Sequence, residues 1–218
     1  MSQLSLLLEG ALVTAWVSIA AIAVGIPLGL ILALIRWQRV PVLSQIVAGY
    51  VSLIRATPAI TLALLIFFAV PTLGLVLNAA TAAVLTLTLN TSAFNCEIWR
   101  AALIDFPRDQ LEAARAYGMR PGLTFRRIIF PQIWRTSLPA LVNEMTLLIK
   151  ASPALAVIGI VDLTRAASRI GAATYEPLPP FMAATFLYML LVLMFVGAQR
   201  LVERHIQRKF RVGWAGTS

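Results

Sequence analysis

Cysteine and histidine are nearly absent, since Cys96 and His205 are the only residues of their kinds among 218. One of each cannot form an internal disulfide or a clustered His/Cys metal site, and Cys96 reads as a small core residue. Charge is scarce at 12%, and acidic charge scarcer still, with nine Asp and Glu against 18 Lys and Arg. No G-x-x-x-x-G-K-[ST] phosphate loop occurs, so nucleotide hydrolysis by that route is excluded. Tandem repeats, low-complexity tracts and long linkers are also missing, and a single domain over 1–218 is expected. The first eight residues carry no basic n-region, and the apolar run after them exceeds a signal-peptide core, so this segment is expected to stay as an anchor.

What fills the chain instead is apolar sequence, 60% by composition against roughly 45–50% for soluble domains. The chain is therefore expected to be an all-α integral membrane protein. Its formal charge of +9 is read as a set of topology signals beside apolar spans rather than as a nucleic-acid footprint. Five transmembrane helices are predicted, over 11–35, 57–70, 79–103, 137–160 and 181–198. The second has uncertain ends: Leu43, Ile46, Val47, Tyr50, Val51 and Ile54 recur at helical spacing before it and suit a helix lying in the interface. Residues 162–180 form a predicted external segment.

Orientation follows from the basic residues. The segment 104–136 holds six arginines and three acids, a net charge of +3, and should face the cytoplasm. Arg36, Arg39 and Arg55, with the tail Arg200, Arg204, Arg208, Lys209 and Arg211, fall on the same side if the N-terminus is outside and the C-terminus cytoplasmic. The tail suits anionic lipid headgroups, a cytosolic partner or topology alone.

The polar segment is also the most structured by its local chemistry. Asp109 and Glu112, three apart before small apolar residues, resemble a capping box; Gly118 suits the left-handed position after a helix, and Pro121 can open a second short helix. Leu111, Ala113 and Ala114 offer a small-residue surface for another backbone, with Glu112 and Arg115 as directional polar contacts. Phe125, Ile128, Ile129 and Phe130 are expected to anchor the second helix to the membrane domain, so that force on the loop reaches the spans.

Glu112-Ala113-Ala114, Gly118 and Ile129-Phe130-Pro131 resemble the EAA loop of membrane permease subunits of ABC importers. Arg55-Ala56-Thr57-Pro58, Phe94-Asn95-Cys96-Glu97-Ile98-Trp99-Arg100, Pro131-Gln132, Leu138-Pro139, Asn143 and Lys150 narrow the resemblance to polar amino acid permeases. Ala56 departs from the usual glycine, and Ala151-Ser152-Pro153 from a Ser/Thr-rich turn. The resemblance implies a type I ABC importer permease of the bacterial inner membrane, with residues 104–136 carrying a coupling helix that docks in a cleft of a cytosolic ATPase. Asp109, Leu111, Glu112, Ala113, Ala114, Arg115 and Gly118 are the implied coupling residues. The implied partners are two ATP-binding subunits that hold ATP and magnesium, a second permease subunit, identical or paralogous, and an extracytoplasmic solute-binding protein. No cofactor is expected in this chain.

Polar groups at membrane depth are the candidate solute path: Glu97, Asn143, Glu144, Lys150 and Ser152. An unpaired charge there costs at least about 2.5–3.5 kcal/mol, so each needs a partner or water. Pro153 should break the fourth helix just beyond Lys150, as at sites that line a cavity. Two readings of the charges stand. Glu144 can meet the amino or guanidinium group of an amino acid while Lys150 or backbone amides meet its carboxylate; alternatively Glu97, Arg100, Glu144 and Lys150 neutralise one another. Gly25, Pro27 and Gly29 are read as close-packing positions, and Tyr188 as packing surface. Two rival functions remain, a small secondary transporter driven by an ion gradient through Glu97, Glu144 and Lys150, and a membrane scaffold that binds a cytosolic protein without moving solute.

Overall fold

The computed structural model describes residues 3–211, with side chains described to Leu201 apart from Gln199. The basic tail beyond Arg200 therefore lies outside the described side chains. The architecture is all-helical. Two helices form its spine: α1 (Gln3–Trp37) and α4 (Ala79–Ile104). Small residues let them approach. A Cβ on Gly25 would fall 2.1 Å from Thr91 Cγ2, and one on Gly29 would fall 2.7 Å from Asn95 Cβ, so this seam admits only hydrogen at both positions. Trp99, fully buried, closes the seam by donating its indole N–H to the Ile26 carbonyl at 3.3 Å. Cys96 is buried beside it.

Helix α1 starts eight residues before the predicted span. Its leucine-rich beginning is not lost to solvent, because Leu7 and Ala11 pack with Leu163, Ala166, Ala167 and Ile170 of α8 (Leu163–Thr174). Asp162 caps α8 by accepting from the Thr164 and Arg165 amides at 3.2 and 3.0 Å. The predicted external segment is thus built around a helix.

The expected interfacial helix packs one face against the protein. Helix α2 (Leu43–Ala56) buries Val47, Val51 and Ile54, and its Tyr50 hydroxyl donates to the Leu89 carbonyl at 3.0 Å and meets Ser92 Oγ at 2.8 Å. Protein covers its apolar stripe at Val47, Tyr50, Val51 and Ile54, while Leu43 and Ile46 at its start stay exposed. Helix α3 (Ala59–Thr72) leaves it at 114°, because Pro58 removes the amide that would continue the helix. Ala56 ends α2 without a positive φ, so the position does not require glycine.

After α4 come α5 (Arg108–Ala116) and α6 (Pro121–Thr124). A π-helical turn over Phe125–Ile129 fuses α6 to α7 (Phe130–Ala151), and a 3-10 stretch, Ser152–Ile158, continues α7 to a left-handed Gly159. The result is one 38-residue helical run, Pro121–Ile158. The second loop helix is therefore the root of the fourth predicted span, not a separate element. Helix α9 (Leu178–Arg211) is the last described element.

Among the described residues three helical runs are long and apolar enough to cross a bilayer, Gln3–Trp37, Pro121–Ile158 and Leu178–Ala198; α2 and α3 make a fourth if the bent pair is counted as one. Helix α4 is not among them, although its 26 residues cover about 39 Å. Packed protein surrounds it, so it tolerates Thr, Ser, Asn, Glu and Arg that lipid would not. Segment α5–α6 lies at one end of the bundle, beside Trp37, and α8 at the other, beside Gly10.

Candidate functional site

Helix α5 differs from its sequence expectation at its start. The residue before it is Pro107, with no side-chain cap, and Asp109 sits inside the first turn. No capping box forms with Asp109, because the helix starts one residue before it and places Asp109 at the second helical position rather than at the N-cap. Asp109 is instead placed to meet the positive end of the helix dipole. The other end is as expected. Gly118 has φ +69°, its amide donates to the Arg115 carbonyl at 2.9 Å, and the Met119 amide donates to Ala114 at 3.0 Å, the paired bonds of a Schellman motif.

The predicted coupling residues divide between two faces. Ala114 is buried and Leu111 packs on the main core, so both face the protein's own membrane domain. They are not available as a small-residue docking surface. Asp109, Glu112, Ala113 and Ala116, spaced i, i+3, i+4 and i+7, make the open face, with Arg115 exposed at its edge and Tyr117 86% exposed beyond it. A hollow of about 410 Å³ lies under the loop, between Leu34 and Trp37 of α1 and Leu111, Arg115, Met119 and Phe125.

Two connections tie this loop to the spine. Gln132 Nε2 donates to Gln110 Oε1 at 2.7 Å and to the Ile128 carbonyl at 3.0 Å, joining α5 to the root of α7. An aromatic chain then runs inward: Phe125 to Phe130 at 6.0 Å between centroids, Phe130 to Trp134 at 6.0 Å, and Trp134 stacked on Trp99 at 5.8 Å. Motion of the loop therefore meets a packed path to α4 within a few side chains. Ile129 is buried in that path, with Ile128 beside it.

The intramembrane polar residues do not converge on one point. Glu97 is held between Arg36 and Arg100; it accepts from the Arg36 guanidinium and takes two N–H bonds from Arg100, at 2.9 and 2.7 Å. It also lines a groove of about 560 Å³ between α4 and α7, with Gln132, Thr136, Ser137 and Ala140. Asn143 and Lys150 share an uncovered stripe of α7 with Thr136, Pro139, Ala140 and Leu147. That stripe prolongs the groove along the helix. Ser152 is fully buried, facing Tyr188 Oη at 3.3 Å rather than open space.

Glu144 is buried, one residue off the stripe, and the charge acting on it is that of Arg55. Arg55 was expected among the residues flanking the cytoplasmic side. Instead its guanidinium lies 5.2 Å from the centroid of the Phe94 ring, and Phe94 is ten residues, about 15 Å, from the loop end of α4. The bend after α2 leaves Arg55 exposed beside the ring of Phe94. Arg55, Phe94 and Glu144, from three helices, form a cation, aromatic face and carboxylate at depth. The signal that could have found this site is the charge just before Pro58, since a helix broken at that proline ends where Arg55 stands.

Tyr188 was expected as packing surface and is a junction instead. Its hydroxyl donates to Asp162 Oδ2 at 3.0 Å and lies 3.0 Å from Thr164 Oγ1 as well as near Ser152. Its hydroxyl and that of Thr185 interrupt an otherwise apolar run from Phe181 to Ala198, and that was the clue.

These features match known proteins over nearly the whole chain. Residues 25–208 match the family described as Binding-protein-dependent transport system inner membrane component. The Arginine transport system permease protein ArtQ of Bacillus subtilis (strain 168) is 34% identical over 206 residues, with 94% of each chain covered. The Histidine/lysine/arginine/ornithine transport system permease protein HisQ of Salmonella typhimurium (strain LT2) is 30% identical over 212 residues, covering 91% of this chain and 92% of that one. A solved structure described as an amino acid ABC transporter with histidines superposes with TM-score 0.82 at 33% identity, covering 94% of this chain and 99% of that one. The chain belongs to the binding-protein-dependent inner membrane component family. It is a permease subunit of an ABC importer, which sets aside the ion-driven transporter and the inert scaffold.

Proposed function

We propose that this permease carries polar, preferentially cationic, amino acids inward by alternating access, driven by partner ATPases. The observation that carries the reading is the division of α5: one face packs on the membrane domain and the other, with Asp109, Glu112 and Ala113, stands open above a rigid aromatic path to α4. Such a helix takes force from outside and delivers it inside. Two copies of the permease, identical or paralogous, would face each other across the uncovered stripe of α7. Each would set its Glu112 face on one of two ATPase subunits holding ATP and magnesium, and a solute-binding protein would deliver the ligand from outside. Each copy would cross the bacterial inner membrane five times, with α2 and α3 as one bent span, the N-terminus outside and the C-terminus cytoplasmic.

The charged groups suit an amino acid. Glu144 offers a carboxylate to a basic side chain, Phe94 a ring face to the same cation, and Arg55 or Lys150 a positive charge to the α-carboxylate. The relatives named for arginine and for histidine, lysine, arginine and ornithine agree with that chemistry. The test is ATPase activity of the reconstituted complex with a panel of amino acids. Stimulation by arginine, lysine or histidine above that by glutamine and leucine is expected; stimulation by neutral apolar amino acids alone would overturn the assignment.

A further inference from the structure

The loop end of the bundle carries a further cavity. A groove of about 540 Å³ opens between the end of α1, the start of α2, the end of α4 and the start of α5. Four arginines line it, Arg36, Arg39, Arg100 and Arg108, with Ser44 and Gln45 as neutral donors and no acidic side chain. Glu97, behind the groove, is engaged by Arg36 and Arg100 and offsets a single charge. Arg39 and Arg108 make no ion pair among the described residues, and the groove is left with an excess of about three positive charges. The remaining wall is apolar, formed by Leu103, Ile104 and Leu111, and Ile104 is 58% exposed.

The backbone that places Arg39 is costly. Arg39 has φ 53° and Val42 has φ 63°, left-handed conformations that non-glycine residues avoid, and the β-branched Val42 most of all. A turn of ordinary geometry would join α1 to α2 with Arg39 elsewhere. This one holds its guanidinium in the groove beside Arg108, the first residue of the coupling helix.

The geometry points to a binding site for the phosphate of an anionic phospholipid, the headgroup between Arg39 and Arg108 and an acyl chain along Ile104 and Leu111. A phosphate anion satisfies unpaired guanidinium groups, and an apolar wall leading away from them at a membrane boundary fits a lipid better than a free ion. Bound lipid would pin the root of α5 to the α1–α2 turn, so the anionic lipid content of the membrane would set how stiffly the coupling helix is held. This site is independent of which solute is carried.

Native mass spectrometry of the full chain released from detergent tests it, with dioleoyl phosphatidylglycerol, dioleoyl phosphatidylcholine or inorganic phosphate as the probe. One phosphatidylglycerol retained in preference to phosphatidylcholine is expected. An Arg39→Gly, Arg108→Gln double variant should weaken that retention about tenfold or more, since each arginine near an anionic headgroup contributes measurably to its attraction. Glycine suits the left-handed φ at position 39, so thermal unfolding should not fall; Arg169→Gln, at the opposite end on α8, should change nothing. Equal retention by the double variant, or equal binding of phosphatidylcholine, overturns the proposal. Displacement of phosphatidylglycerol by millimolar inorganic phosphate overturns the lipid as the occupant.

Discussion

At the scale of single residues, the decisive contrast is between charges already satisfied and one that is not. Glu97 has two arginines on it, whereas Glu144 is buried with no hydrogen bond or ion pair among the described residues and only the field of Arg55. Glu144→Gln keeps the shape and removes the charge. If the carboxylate meets a basic solute, cationic amino acid uptake should fall at least about tenfold, because breaking a buried charge contact costs several kcal/mol. Pairing Glu144→Gln with Arg55→Gln separates the two roles. A double variant that regains uptake would mean the two charges only neutralise each other, and one as inactive as the single change supports solute contact. Steric limits are as local. Gly29→Ala would place its methyl 2.7 Å from Asn95 Cβ and 3.0 Å from the Cys96 amide nitrogen, neither of which can swing away. A loss of about 1–3 kcal/mol is expected, read as a lower unfolding temperature of the purified chain in detergent.

Elements join where helix geometry changes, and those joints decide which parts move. The α7 helix tightens into a 3-10 stretch at Ser152, and Tyr188 of α9 holds that stretch to α8 through Ser152, Thr164 and Asp162. Tyr188→Phe removes all three hydrogen bonds while Asp162 keeps its two amide donors. About 1–3 kcal/mol of local stability should be lost, seen as faster amide exchange over 152–158 with little change in α4; unchanged exchange would show the junction to be incidental. How far the chain could be read in advance follows the same division. Periodic apolar runs, Gly118 and Pro121 were legible because each acts within a few residues of chain; the break expected at Pro153 is only a tightening, since the helix runs on as a 3-10 stretch to Ile158. The burial of α2, the inward face of Leu111 and Ala114, and the meeting of Arg55 with Phe94 and Glu144 were not, because each depends on which helix lies opposite. An amphipathic stripe states that one face is covered, not whether lipid or protein covers it. The expected capping box failed because Asp109 and Glu112 have its spacing but the helix begins at Arg108, one residue too early for Asp109 to be its N-cap.

For the whole molecule, the question is whether loop and spine move as one body. The Gln110–Gln132 bond and the run of rings from Phe125 to Trp99 connect the loop to α4 and α7, so a displacement at α5 is passed to both helices. Two substitutions probe opposite parts of that packed path. Glu112→Lys changes only the open face and reverses its charge; it should leave the permease folded and inserted but weaken its hold on the ATPase. Gly118→Asp acts on the support, since a residue with a Cβ at φ +69° costs about 1 kcal/mol or more and loosens the Schellman closure that ends α5. Both should lower amino acid uptake about tenfold or more relative to ATP hydrolysed, because a weakened or misaligned docking face breaks the coupling rather than the chemistry. The second should also unpin α5, detectable as faster amide exchange over 108–118, while the first should not. Uptake per ATP that stays normal in both variants would mean that force enters the bundle elsewhere, and the aromatic path to α4 would then be packing without a mechanical role.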